Sequence, residues 1–304
     1  MLVPRESSAA TLDRHKDSRV TVDPSSRQQP SLACPVCEVV LERRQSAFTC
    51  ENGHSFDVAK EGYVNLLPSQ YKRRGVEGDA LAMLQARRRF LDRGCFAPLL
   101  DALAARVGAI GSEGDRAIAP TVAEAGCGEG YYIGNIQTRL ADISRANWLG
   151  TDISRPAVRM AAKRYPHTLF FVSDVHTRIY LPDASVDLLL DVFAPRNPVE
   201  FARVVKPGGG AFVVIPSQSH LAALRTAFGL LDIEQDKERK LLDRFASHFR
   251  LIDRSELRFL LELDPDAVDD LIEMGPSRWH GPRKPATSSL STEASLVLLH
   301  LQRG

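Results

Sequence analysis

The chain has 304 residues, 44% hydrophobic and 25% charged, with a formal net charge of +1. That suits a soluble globular protein with room for a sizeable core and two domains, and any basic surface must be local. No apolar run approaches the roughly 20 residues of a membrane span, and the first 30 residues lack a secretory apolar segment. Of five cysteines, three cluster with a histidine. This points to metal in a reducing compartment rather than a disulfide framework, and the expected location is cytoplasmic.

Residues 1–30 are rich in Ser, Arg, Asp and Pro without apolar periodicity, and predict a disordered arm. A metal-binding module is expected over 31–70. Cys34-Pro-Val-Cys37 and Cys50-Glu-Asn-Gly-His54 form C-x2-C and C-x3-H pairs separated by twelve residues. Three thiolates and one imidazole make the closed tetrahedral set of one structural Zn2+, with no position left open for catalysis. Segments 39–41 and 47–49 predict a hairpin that brings the pairs together. Buried free cysteines are the plain alternative. So short a module cannot build its own core, so metal supplies much of its folding energy.

Residues 71–115 read as a basic helical linker. Lys72, Arg73 and Arg74 form a compact run beside Tyr71, and 69–95 holds seven Lys/Arg against three Asp/Glu, a local net of +4. RNA phosphates need such a patch, although a basic run also occurs as a plain solvated loop. Asp79 could cap a helix running to about Arg93, with Met83, Leu84, Phe90 and Leu91 as its apolar stripe. Arg87 falls within that stripe and Arg89 faces away. An arginine on a buried face should snorkel or meet a carboxylate, either a structural partner or a ligand's. A second helix is expected over 98–110 and a loop over 111–120.

Residues 116–304 alternate strand and helix as a doubly wound parallel sheet requires. Val122-Ala-Glu-Ala-Gly126-Cys-Gly128-Glu-Gly130-Tyr-Tyr132 reads as a buried strand, a glycine turn and a helix start. Glycines serve where backbone passes close to a ligand, and the new helix offers N–H groups to it. Trp148-Leu-Gly-Thr-Asp152 ends a second strand in an acid about 20 residues later, where such folds bind ribose hydroxyls. Asp174 and Asp191 close the third and fourth strands. A helix over 156–164, a fifth strand over 211–215 and a helix over 219–230 follow. Strands at 249–252 and 294–300, with a helix over 264–274 between them, complete the pattern.

The Gly-x-Gly-x-Gly spacing with three strand-end acids resembles the S-adenosylmethionine (SAM) methyltransferase fold. That implies an α/β, Rossmann-like class I SAM methyltransferase domain with a mostly parallel seven-stranded sheet, behind a small N-terminal zinc-binding β module. More narrowly, several strings together resemble the bacterial 23S rRNA (guanine-N1)-methyltransferases. They are both cysteine pairs, Lys60-Glu-Gly-Tyr-Val-Asn-Leu-Leu67, Gln85-Ala-Arg-Arg88, the glycine turn, Val192-Phe-Ala-Pro195, Arg203-Val-Val-Lys-Pro-Gly-Gly209 and Met274-Gly-Pro-Ser-Arg-Trp-His280. The resemblance spans roughly 32–302.

That family is zinc-containing, uses SAM and methylates N1 of a guanine in a hairpin loop of 23S rRNA. Two branches modify neighbouring guanines, and the second contributes to resistance against macrolides such as tylosin. The Gly-Glu-Gly-Tyr-Tyr string resembles the first branch, whereas 191–200 and 274–280 resemble the second, which is favoured. The resemblance implies zinc ligands Cys34, Cys37, Cys50 and His54. Gly128 and Glu129 match the family's SAM-contacting loop. Beside them, the glycine turn and strand ends offer Gly126, Gly130, Asp152 and Asp174 to the cofactor, and Arg87 could meet either the methionine carboxylate or a structural partner. Phe96 stands where the family often has a tyrosine near the cofactor, and His220 matches a histidine beside it. Glu124-Ala125 departs from the usual Asp-Ile.

Guanine N1 must lose a proton before or during transfer, and a carboxylate within hydrogen-bond reach is the natural base. Asp191, at a strand end on the substrate side, is the candidate, with a turn cap or a cofactor contact as the plain alternative. Phe193 could stack on a base and Arg196 hold phosphate or guanine O6. Expected partners are the 23S rRNA hairpin, no membrane, and a homodimer as an open option. The competing readings are a SAM methyltransferase for another RNA or a small molecule, and a non-enzymatic zinc-ribbon RNA-binding protein.

Overall fold

A computed structural model describes residues 31–68, 78–113, 119–140, 146–275 and 285–304. The 1–30 arm and the run Lys72, Arg73, Arg74 lie outside the described residues.

The N-terminal part is four short antiparallel strands, β1 (Leu32–Ala33), β2 (Val40–Arg44), β3 (Ala47–Thr49) and β4 (Ser55–Asp57), paired in that order. The expected hairpin is β2–β3, with Arg43 opposite Phe48. One face of these strands buries Leu32, Leu41 and Phe48, which share a core with Phe171, Ile179 and Tyr180 of the larger domain. The Ala33 amide donates to the Tyr180 carbonyl (2.9 Å) and Arg178 pairs with Glu38 (2.9 Å). The small module is thus built onto the sheet domain rather than tethered to it. Next, β5 (Val64–Asn65) pairs in parallel with β8 (Leu169–Val172) and becomes the last strand of the large sheet.

Two helices follow, α1 (Leu81–Asp92) and α2 (Ala97–Glu113). Ala80, not Asp79, occupies the α1 N-cap position and no side chain caps it, because the Asp79 carboxylate is engaged by Arg87. The doubly wound region runs β6 (Thr121–Ala125), α3 (Tyr131–Arg139), β7 (Asn147–Asp152), α4 (Arg155–Arg164), β8, β9 (Val186–Val192), α5 (Pro198–Val204) and β10 (Val205–Pro216). Then come α6 (Ala222–Phe228), α7 (Lys237–Phe245), β11 (Phe249–Leu263), α8 (Pro265–Glu273) and β12 (Leu290–Arg303). Three helix starts share one grammar, a small polar cap with proline in the first turn. Ser154, Asn197 and Asp264 each accept the amide three residues on.

The strands lie in the order β11-β12-β10-β9-β6-β7-β8-β5. The run from β10 to β5 is parallel, and β12 and β11 close it antiparallel, so the seven expected strands gain an eighth in β5. Residues alternate between two buried faces, as a covered parallel sheet demands. Leu188, Leu190 and Phe170 pack under α1–α4 and α8, while Leu189, Phe171 and Val213 pack with the zinc-module side and with Phe201 and Phe245. All parallel strands therefore present their carboxyl ends, and the loops after them, along one edge.

Candidate active site and metal centre

At that edge, Gly126, Gly128 and Gly130 all adopt positive φ (70°, 53° and 78°), which side chains with a Cβ rarely tolerate. The turn is held from beneath by Asp152, whose Oδ2 accepts the Gly128 amide (2.8 Å) and whose Oδ1 accepts the Ser154 amide (2.8 Å). Burial, first of all, raises the Asp152 pKa. A Cβ on Gly126 would stand 2.5 Å from the Ala194 Cβ, and one on Gly128 would stand 3.3 Å from Arg87 Nη1. The glycine turn is thus bracketed by the Asp191–Arg196 loop on one side and by a guanidinium on the other. Asp174 closes its own turn, accepting the His176 amide at 2.9 Å.

The α1 arginines are not a free basic patch. Arg87 pairs with Asp79 (2.6 Å) and donates to the Met274 carbonyl (3.3 Å), Arg88 with Glu129, Arg89 with Asp270 (2.6 Å) and Arg93 with Asp264 (2.8 Å). The positive balance over 69–95 is spent on ion pairs wherever this segment is described. Glu129 is fully buried and its carboxylate faces Arg88, with Arg164 at 3.9 Å. Its side chain therefore locks α1 and α4 to the glycine turn. Arg88 and Arg164 in these roles had no local signature, since each partner lies dozens of residues away in sequence.

On the other side of the turn lies an acid in an apolar setting. Asp191 is 1% exposed; its Oδ1 accepts Arg196 Nε (3.0 Å), and its Oδ2 is buried with no hydrogen-bond partner among the described residues. Burial pushes its pKa up to about 7, against the lowering effect of Arg196. Glu124, on the neighbouring strand, is buried too and pushed up to about 8, chiefly by desolvation; its Oε2 accepts the Ile133 amide. In the sequence Glu124 shows only as a departure from pattern, with no local sign of its burial.

Phe193 follows at φ +57°, an uncommon conformation for an aromatic residue, held by its amide on the Val214 carbonyl (3.2 Å). Its ring is 40% exposed and stacks on His220 at 6.4 Å and 27°. Phe96 packs edge-on to both Phe193 (6.1 Å) and His220 (6.3 Å). His220 Nδ1 accepts the Ser295 amide (3.1 Å), so Nε2 carries the proton of the neutral ring. Burial lowers the His220 pKa to about 4, keeping it neutral near pH 7. The fold thus brings Phe96, Phe193, His220, Asp191 and Arg196 together at the glycine turn.

The second centre is Cys34, Cys37, Cys50 and His54, whose ligand atoms all lie within 4.8 Å of one another. His54 Nδ1 is 3.6, 3.4 and 3.3 Å from the sulfurs of Cys34, Cys37 and Cys50, and the Cys37 and Cys50 sulfurs are 3.7 Å apart. Zn–S bonds of about 2.3 Å and Zn–N bonds of about 2.0 Å at tetrahedral angles would space the ligands by about 3.5–3.8 Å. The donor set fits one zinc ion. Hydrogen bonding, first from the Asn52 side chain, lowers the Cys37 pKa to about 6, favouring the thiolate that binds metal.

A zinc-ribbon family described as "RlmA, N-terminal" matches residues 32–74, and a "Methyltransferase domain" family matches 122–209. The "23S rRNA (guanine(748)-N(1))-methyltransferase" of Streptomyces fradiae is 40% identical over 82% of this chain and 86% of its own length. Proteins of Micromonospora griseorubida and Bacillus subtilis (strain 168), both named "Putative 23S rRNA (guanine-N(1)-)-methyltransferase", the latter as YxjB, are 38% and 30% identical. These alignments cover 83% and 82% of this chain and 88% and 87% of theirs. With a zinc-type ligand set and a glycine turn facing a buried acid, the chain belongs to the family of 23S rRNA (guanine-N1)-methyltransferases.

Proposed function

We propose that this chain transfers the methyl group of SAM to N1 of a guanine in a hairpin loop of 23S rRNA, in the cytoplasm. The observation that carries this reading is the contact between the glycine turn and the Asp191–Arg196 loop, which sets a nucleoside cradle against a buried carboxylate. SAM, when bound, supplies a methyl group already activated on a sulfonium centre.

The protein's own residues do the rest. Gly126, Gly128 and Gly130 let the backbone pass close to the donor, and Asp152 and Asp174 face its nucleoside part. Arg87, standing over Gly128, meets its carboxylate. Glu129 acts from within the loop by locking it to α1. Phe96 and His220 wall the site near the reacting group and keep water out.

The target guanine, already unpaired in a loop, is splayed into the cleft at modest cost and stacks on the exposed Phe193 ring. Arg196 orients Asp191, whose unpartnered Oδ2 accepts the N1 proton. Alignment supplies much of the rate. The zinc module, over about 31–70, and the linker over 71–115, with Lys72, Arg73 and Arg74, grip the rRNA ahead of the catalytic domain at 116–304. A homodimer would place two such grips on one assembly.

The overall similarity favours the branch represented by the Streptomyces fradiae relative. Modification of the corresponding guanine is expected to raise tolerance to tylosin-type macrolides. Primer extension on 23S rRNA from cells lacking the chain tests the reading, since an N1-methyl group blocks pairing. One stop in a hairpin loop should vanish and return on complementation; an unchanged pattern of stops would overturn it.

A further inference from the structure

Beside the cleft lies a cavity of about 350 Å³ that none of the roles above uses. It sits past the carboxyl end of β10, between the loop Ser217, Gln218, Ser219 and the start of α7, with β11 as its far wall. The volume is at the small end of ligand pockets, enough for a single nucleotide-sized group. Its walls divide by chemistry. Pro216 and Ile233, over the buried Ile215 and Val297, give an apolar side, while Gln218, Gln235 and Lys237 give a polar one.

Most charged groups here neutralise one another. Arg254 grips Glu238 through two hydrogen bonds (2.6 and 3.0 Å), Glu256 bridges Arg254 to Arg258, and Glu234 holds Lys240. Lys237 is the exception. It is half-buried and, among the described residues, forms no ion pair within 4.0 Å; the Glu234 carboxylate, already held by Lys240, acts on it only from farther off. Its charge acts on both Arg196 and His220, and Ser219 immediately precedes His220 in the chain. The same helix reaches the Asp191 cleft directly, since Arg244 of α7 donates to the Arg196 carbonyl (3.3 Å), so the cavity and the cleft are neighbours. A partly desolvated cation that shares one distant carboxylate with a second lysine favours a further anion beside it.

We infer that this cavity is a second nucleotide subsite, taking the unpaired RNA nucleotide adjacent to the target guanine. The base lies against Pro216 and Ile233 with its edge on Gln218 and Gln235, and Lys237 holds the phosphate that joins it to the target. An apolar face with amide groups at its rim reads a base edge, whereas a bare phosphate site would present cations alone. This rests on the proposed RNA methylation and adds a selectivity that the target pocket by itself cannot give.

The test uses the zinc-loaded full chain and a transcribed 23S rRNA hairpin whose methylated guanine has been located by primer extension. Matched hairpins carry an abasic residue on the 5′ or the 3′ side of that guanine. For the wild type, one abasic hairpin should lose about tenfold in kcat/KM, mainly through KM. Lys237→Met and Gln235→Ala should each raise KM for the intact hairpin several-fold, keep SAM affinity, and shrink the abasic penalty to less than about twofold. Equal rates on intact and both abasic hairpins, or variants that keep the full penalty, would overturn the subsite while methylation stands. Failure of the wild type to methylate the intact hairpin while binding SAM would instead overturn the parent reading and the subsite with it.

Discussion

The zinc module and the catalytic sheet reach order by opposite routes. In the module, four ligand atoms within 4.8 Å of one another organise strands of two to five residues. Its few large apolar side chains, Leu32, Leu41 and Phe48, are covered only because the sheet domain lends Phe171 and Tyr180. The sheet, by contrast, buries both faces, and among the described residues it carries no cluster of potential metal ligands. Positions near its carboxyl edge are where it departs from good packing practice, with Asp191 Oδ2 orphaned and Phe193 at positive φ. Such departures concentrate at functional sites. The metal makes the module's structure, and the sheet's stability makes tolerable the strained loop to which we assign the chemistry.

This contrast predicts a graded series of losses. Removing zinc with a chelator, or substituting Cys50→Ser, should have the largest effect. The ribbon should melt and rRNA methylation should fall below detection, because metal binding is folding free energy here. SAM affinity, read by calorimetry, should change far less; equal loss of both would erase the division of labour between the two regions.

Next in size, Asp191→Asn should cut the single-turnover rate by about 10²–10⁴-fold, the range of general acid–base catalysis, with SAM still bound. A variant with full rate across pH would remove Asp191 as the base. Arg87→Met should weaken SAM by about tenfold through loss of one charge-assisted contact, with little change in RNA affinity. Unchanged SAM binding would make Arg87 a purely structural partner of Asp79.

The smallest effect sharpens the electrostatics. The base must be ionised, and burial has raised Asp191 to about 7, so the rate should rise with pH through that region and level off above it. Arg196 lowers that pKa, so Arg196→Met should move the rising limb to higher pH. A limb that stays put, measured in single turnover to exclude RNA release, would dissociate Arg196 from the proton transfer.

The same contrast governs what could be read from sequence. Zinc ligands sit in short fixed spacings, and the glycine turn with Asp152 is a local signature, so both are legible in the chain. The partners of the α1 arginines are not, because Asp264 and Asp270 are set beside α1 only by the folded sheet. Arg87 on a buried stripe calls for a carboxylate, but the pattern offers Asp79 as a helix cap rather than as that partner. β5 has two residues, too short for any periodicity to show, and α7, largely charged, gives no long apolar stripe. β11 reads as a short strand from its first residues, although it runs for fifteen, because its later positions alternate charged and half-buried groups along an exposed edge. Asp191 could be placed at a strand end, but its orphaned oxygen depends on tertiary burial.

The most direct test of the central claim is nucleoside mass spectrometry on a 23S rRNA fragment incubated with the purified, zinc-loaded chain and SAM. The account predicts 1-methylguanosine, approaching one per molecule, at a single unpaired guanine. Methylation at another atom or base, or bound SAM with no 1-methylguanosine formed, would contradict it.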